Sequence, residues 1–112
     1  MKHQKNINKP LSSIFPKYVF WDCDVDKLNL EVWQDRSFII QRVLKMADFD
    51  FDMLISKLES IFSVEEIKYY ANESMEIMGN ELIESLCKKY NMKPSQFPYY
   101  IAELPKYNNN KP

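Results

Sequence analysis

With a single glycine, Gly79, among 112 residues, the chain has little to build a phosphate loop from. Glycine-rich loops and dinucleotide fingerprints need several residues without a Cβ, because only they let backbone amides approach a phosphate closely. Nucleotide binding by those routes is excluded. Sheet-rich folds with tight hairpins are also disfavoured, since two-residue turns lean on residues that tolerate positive φ. Histidine is as scarce: His3 stands alone, in a polar N-terminal segment. Serine–histidine and cysteine–histidine nucleophile pairs therefore have no partner to offer, and a histidine metal site cannot be assembled. The two cysteines, Cys23 and Cys87, are far apart and lack CxxC or Cys/His spacing. They are expected as buried free thiols in a reducing cytosol. No apolar run approaches the ~18 residues of a membrane span, and no apolar stretch behind the first lysines suggests a signal peptide. A soluble, cytoplasmic protein without cofactors is the expectation. The formal charge of −1 argues against holding nucleic acid by bulk electrostatics.

What the chain does contain is apolar mass. Hydrophobic residues make up 46% of it and aromatics 14%, which excludes general disorder and supplies one real core. We expect a flexible basic arm at 1–13, a single helical domain at 14–104 and a disordered tail at 105–112. The fold class expected is all-α: a small four-helix domain with an extended aromatic N-terminal segment and a Pro/Tyr-rich C-terminal arm.

Residues 14–21 hold Phe15, Pro16, Tyr18, Phe20 and Trp21. Pro16 favours an extended conformation at Phe15, and Phe20 or Trp21 is expected to plug the core. Asp22, Asp24 and Asp26 follow. They open like a calcium-binding loop, but the sixth and twelfth positions are Lys27 and Trp33 where glycine and glutamate are required. A turn that places negative charge at a helix start is the plainer reading.

The first helix is expected from about Leu30 to Ala47, with Asn29 as its N-cap and Leu30, Trp33, Ile40, Val43 or Leu44, and Ala47 inward. Arg36 and Arg42 are expected to pair with acids such as Asp35 or Glu31. The aspartates of 48–52 end this helix and cap a second that runs to about Ile61. Ser63 and Glu66 suit a reciprocal capping box for a third helix, Val64 to about Ala71, with Ile67 and Tyr70 in the core. A fourth helix, Met78 to Tyr90, buries Leu82, Ile83 and Leu86 and carries Lys88 and Lys89 in its last turn, where the helix dipole favours cations. Phe97, Tyr99, Tyr100, Ile101 and Leu104 are expected to fold back on the bundle.

Without a histidine to act as base, and with no carboxylate pair at a committed spacing, enzymatic function is not expected. The favoured reading is a non-enzymatic protein-interaction module. Its candidate contact residues are Asp22, Asp24 and Asp26 at the acidic corner and Phe97, Tyr99 and Tyr100 in the C-terminal arm. The alternative is a small helix-turn-helix-like DNA-binding regulator using Lys2, Lys5, Lys9, Lys88, Lys89 and Lys93. Against it, the third helix and the polar stretch after it hold Glu65, Glu66, Glu73 and Glu76 with only Lys68, a balance that repels phosphate. Self-association is compatible with either reading.

The stretch from Phe15 to Asp48 also resembles the opening of a family of small uncharacterised all-helical bacterial proteins. The pattern is Pro-x-Tyr-Leu-Phe-Trp-Asp-x-Asp followed by Phe-Ile-Ile-x-Arg-Val-Leu. Here it is carried by Pro16, Tyr18, Phe20, Trp21, Asp22, Asp24 and Leu28, then by Phe38, Ile39, Ile40, Arg42, Val43 and Leu44. Departures are Phe15 for the usual leucine, Asn29 for the capping aspartate, and Ser37 for an arginine, with Arg36 one position earlier. Such proteins are often encoded beside nucleotidyltransferase-type toxins. The resemblance thus implies an antitoxin-like or accessory partner and carries over no catalytic residue.

Overall fold

A computed structural model describes residues 9–74 and 76–101. Lys2, Lys5, Leu104 and the 105–112 tail, about which expectations were stated, lie outside the described residues. Among the described residues four α-helices make the domain: α1 (Trp33–Met46), α2 (Phe51–Glu59), α3 (Val64–Glu73) and α4 (Asn80–Tyr90). Short 3-10 turns at Leu11–Ser13, Lys17–Phe20 and Val25–Lys27 precede α1, and one at Pro94–Gln96 follows α4. Apart from an isolated bridge at Phe62, no strand occurs among the described residues. The all-α expectation holds.

The core forms where apolar residues recur three and four apart. Ile39, Ile40, Val43 and Leu44 of α1 pack on α2 and α3, meeting Leu54, Ile55 and Leu58 of α2 and Ile67 and Ala71 of α3. Ile61 and Phe62, in the connection between α2 and α3, are fully buried, as is Ile83 of α4. Two of the helices, α2 and α3, start on a side-chain cap. Asp50 accepts from the Met53 amide to open α2, and Ser63 accepts from the Glu66 amide to open α3. The capping box is only half made, because Arg36 draws the Glu66 carboxylate away from the Ser63 backbone.

Two expectations near α1 are corrected. The helix starts at Trp33, after Val32, instead of at Leu30 after an Asn29 cap. Asn29 spends its side chain on the Glu31 amide two residues on, and its carbonyl accepts from Val32, closing a turn. Asp35, in the first turn of α1, takes the Asn29 amide at 2.8 Å. Trp33 then falls on the outer face, 62% exposed, and does not enter the core.

The N-terminal segment is turned where an extended run is expected. Pro10 and Pro16, both near φ −65° and ψ 150°, each lead into a 3-10 turn. In a turn of that kind residues three apart share a face, so Tyr18 and Trp21 point out together while Val19 and Phe20, on the other sides, go in. Phe20 is the plug; Trp21 is 75% exposed. Leu11 and Phe15 are buried beside it, so packing begins before residue 14. The Cys23 thiol is exposed, contrary to expectation, because it follows the outward-facing Trp21 and Asp22; Cys87 is buried.

The lone glycine begins α4. Gly79 adopts φ 95° at the N-cap, a conformation that side chains strain to reach, and an added Cβ would meet nothing within 4 Å. Gly79→Ala should therefore cost about 2 kcal/mol from backbone strain alone. Urea unfolding would check this, and a loss indistinguishable from zero would contradict it. At the other end, Asn91 closes α4 in the left-handed conformation with its amide on the Cys87 carbonyl.

Candidate functional site

The most developed surface feature is a groove between α1 and α3. Trp33, Ser37 and Gln41, spaced four apart, line one wall; Glu66, Tyr69, Tyr70 and Glu73 line the other. Two hollows flank the Tyr69–Tyr70 pair, whose rings meet edge to face at 5.0 Å. One, of about 250 Å³, is bounded by Arg36, Glu65, Glu66 and the two tyrosines. The other, of about 470 Å³, is bounded by Trp33, Ser37, Gln41, Glu73 and the same tyrosines. Gln41 donates to the Ser37 hydroxyl at 2.9 Å, which fixes that wall.

An ion pair forms the floor. Arg36 Nε and Nη2 both donate to Glu66 Oε2, at 2.8 and 2.6 Å. The pair is well covered, with side chains 16% and 7% exposed. The other carboxylate oxygen, Glu66 Oε1, is buried and has no hydrogen-bond partner among the described residues. Burial pushes the Tyr70 hydroxyl above its ordinary pKa, and the Glu66 carboxylate adds to the effect. The groove offers ring faces, a ring of carboxylates and one unused buried acceptor. It can bind; it presents no nucleophile with a base.

The acidic corner is organised differently. Asp22 grips Arg42 through both oxygens, at 2.8 and 3.1 Å, and the guanidinium lies 4.9 Å from the Phe38 ring centre. Asp24 caps the Val25–Lys27 turn by accepting from the Asp26 amide. Asp26 accepts from both the amide and the hydroxyl of Ser12. Each aspartate has its own structural partner, and among the described residues no three His, Cys, Asp or Glu side chains converge as a metal group.

These partners set an acid dependence. Hydrogen bonds from Arg42 hold the Asp22 carboxyl below its ordinary value near 3.8, and those from Ser12 do the same for Asp26. A lowered folded pKa means the unfolded chain binds more protons between the two values. The stabilisation is therefore present above pH ~4 and is lost as pH falls through the lowered values. Asp22→Asn should make the acid limb of stability shallower, read as urea midpoints from pH 6 down to 3. An unchanged limb would contradict the assignment.

The C-terminal arm is pinned to α4. Asn80 exchanges two hydrogen bonds with the Ile101 backbone, and the Tyr100 hydroxyl donates to Glu84 at 3.1 Å. Phe97 is a core residue, 3% exposed, and this corrects its reading as a contact anchor: the turn at Pro94–Gln96 aims it inward. Tyr99 remains exposed. The lysines are scattered in role. Lys88 and Lys89 end α4, with Lys89 Nζ 3.8 Å from Glu59, whereas Lys9 lines a hollow shared with Asp26 and Glu31.

Sequence reasoning missed the groove. Arg36 and Glu66 stand thirty residues apart, and no local spacing connects them. Glu66, Tyr69, Tyr70 and Glu73 did carry a signal, as one face of a helix with acids and rings together.

Among the described residues, no helix is long and apolar enough to cross a membrane. No curated protein and no solved structure matches the chain. A family model does match, over residues 15–71, which run from the buried Phe15 through α1 and α2 into α3 and include both arginine–carboxylate pairs. As the match covers just over half of the sequence, the chain belongs to the family described as a family of unknown function (DUF6922).

Proposed function

We propose that this chain is a non-enzymatic protein-interaction module that seats a partner protein on the α1–α3 groove. The observation that carries the reading is the pair Trp33 and Tyr69, 62% and 59% exposed, on facing walls of one groove. Large rings left in water beside a hollow are the usual anchors of protein recognition, since covering them removes much apolar area at little conformational cost. All of the groove's lining except Glu73 lies within the span matched by the family model, whereas α4 and the C-terminal arm lie beyond it. An antitoxin-like or accessory role beside a toxin is the specific form that the resemblance of residues 15–48 implies.

Capture from the native host tests the proposal, run with and without nuclease, on the natural chain and on a Trp33→Ala, Tyr69→Ala double variant. A stoichiometric protein that survives nuclease and is lost by the double variant supports it. Both substituted side chains are largely exposed, so a similar melting temperature should accompany the loss. Recovery that vanishes with nuclease would overturn it in favour of DNA binding, with Lys88, Lys89 and Lys93 as the residues to neutralise next.

A further inference from the structure

Glu66 is a half-used group. Its Oε2 takes two donors from Arg36, while Oε1 is shielded from water and meets no donor among the described residues. A buried acceptor left unmet is a standing cost, relieved by any donor that reaches it. Around it, the two hollows are bounded by three carboxylates, Glu65, Glu66 and Glu73, against the single guanidinium of Arg36. The remaining walls are the rings of Trp33, Tyr69 and Tyr70.

A donor suited to this place is positive, flat and carried on an apolar stem. Phosphate is repelled by the carboxylates. A compact ammonium keeps its hydration more strongly and cannot stack. A guanidinium stacks on tryptophan and tyrosine faces, presents directed N–H groups to a carboxylate oxygen, and brings a three-carbon stem to cover a ring. With it in place, Glu66 would bridge two guanidiniums, one on each oxygen, and the local charge would move toward balance.

We propose that the α1–α3 groove is a receptor for an arginine side chain displayed by the partner protein, its guanidinium in the smaller hollow with Glu66 Oε1 accepting its hydrogen bond, and its stem crossing Tyr69 to Trp33 in the larger one. This rests on the interaction-module reading and names the chemistry of the partner at that site.

The test uses the full chain and two probes, N-acetyl-arginine amide and its neutral isostere N-acetyl-citrulline amide, followed by NMR at the Trp33 indole N–H and the Tyr69 ring. Arginine should give saturable shifts with a half-point of about 1–10 mM, the range open to one charge-assisted bond and one stacking contact. Citrulline should bind about tenfold more weakly, or not at all. Glu66→Gln should weaken arginine about tenfold. Because that substitution also touches the ion pair, the exposed Glu73→Gln and Trp33→Ala are read beside it, each expected to weaken arginine severalfold. Shifts that do not saturate, or equal binding of citrulline, would overturn the assignment and leave Oε1 as the seat of a water. If either occurs while the captured partner is still lost by the Trp33→Ala, Tyr69→Ala variant, the interaction module stands and only its arginine chemistry fails. If arginine binds as described but no partner is captured, the receptor stands and the module reading fails.

Discussion

Phe62→Ala will lower the unfolding free energy by about 4 kcal/mol, the upper part of the range for a large side chain removed from a closed interior. Phe62 heads the fully buried side chains by volume and has no measurable exposure. It does not sit within a helix, where a neighbouring turn could settle into the gap. It lies in the short connection between α2 and α3, with its amide bonded to the Leu58 carbonyl at 3.0 Å and Ser63 beside it capping α3. Both ends of the connection are thus held by backbone hydrogen bonds, and the fully buried Ile61 and Ile67 flank the space on either side in sequence. Collapse into the cavity would break those bonds, so the cavity stays open and its cost is kept. A domain of this size has about 5–15 kcal/mol in hand, so the variant will stand near the edge of folding. Urea titration should show a lower midpoint with an unchanged slope. Phe62→Leu, which restores most of the volume, should lose only about 1 kcal/mol. An alanine variant that loses no more than the leucine variant would mean that the connection does collapse.

The elements legible in the sequence were those built by local rules. Periodic apolar residues and side-chain caps at Asp50 and Ser63 place α2 and α3, and the lysines of the last turn mark the end of α4. A plug at Phe20 or Trp21 was legible because an aromatic run beside a proline has few places to go but the interior, and Phe20 is the one that enters. What failed were choices between two locally acceptable answers. Asn29 is as good a turn residue as a helix cap, and Asp35 tipped it towards the turn. Trp21 and Trp33 are apolar enough for a core, yet a 3-10 turn and a shifted helix start leave both outside. Phe97 was expected both to fold back on the bundle and to serve as a contact anchor, and the local turn at Pro94–Gln96 takes it into the core. The groove was the least legible part. Its floor joins two helices across thirty residues, and neither Arg36 nor Glu66 differs in sequence from an ordinary surface charge.

That floor carries the second large effect. Arg36→Ala will cost about 3 kcal/mol, near the low end for breaking a covered ion pair by removing one partner. The reason lies in what is left behind more than in what is lost. Glu66 is only 7% exposed, and without Arg36 neither of its oxygens would have a donor. The reverse substitution is milder. In Glu66→Gln the guanidinium is more exposed, at 16%, and keeps the Leu30 carbonyl within 3.4 Å, so about 1–2 kcal/mol is expected. Combining Arg36→Met with Glu66→Gln removes the stranded charge and returns apolar bulk, so the pair should be more stable than Arg36→Ala alone by at least about 1 kcal/mol. The cycle is read by urea unfolding of the natural chain, Arg36→Met, Glu66→Gln and their combination, with Arg36→Ala beside them. Hydrogen exchange adds a local readout: Arg36→Ala should speed exchange in α3 ahead of α4, because the pair is the polar tie between α1 and α3 at the groove. Costs that simply add, with no difference between α3 and α4, would show that Arg36 and Glu66 act as independent surface charges. The groove would then lose its fixed floor, and with it the reason for Oε1 to wait on a partner.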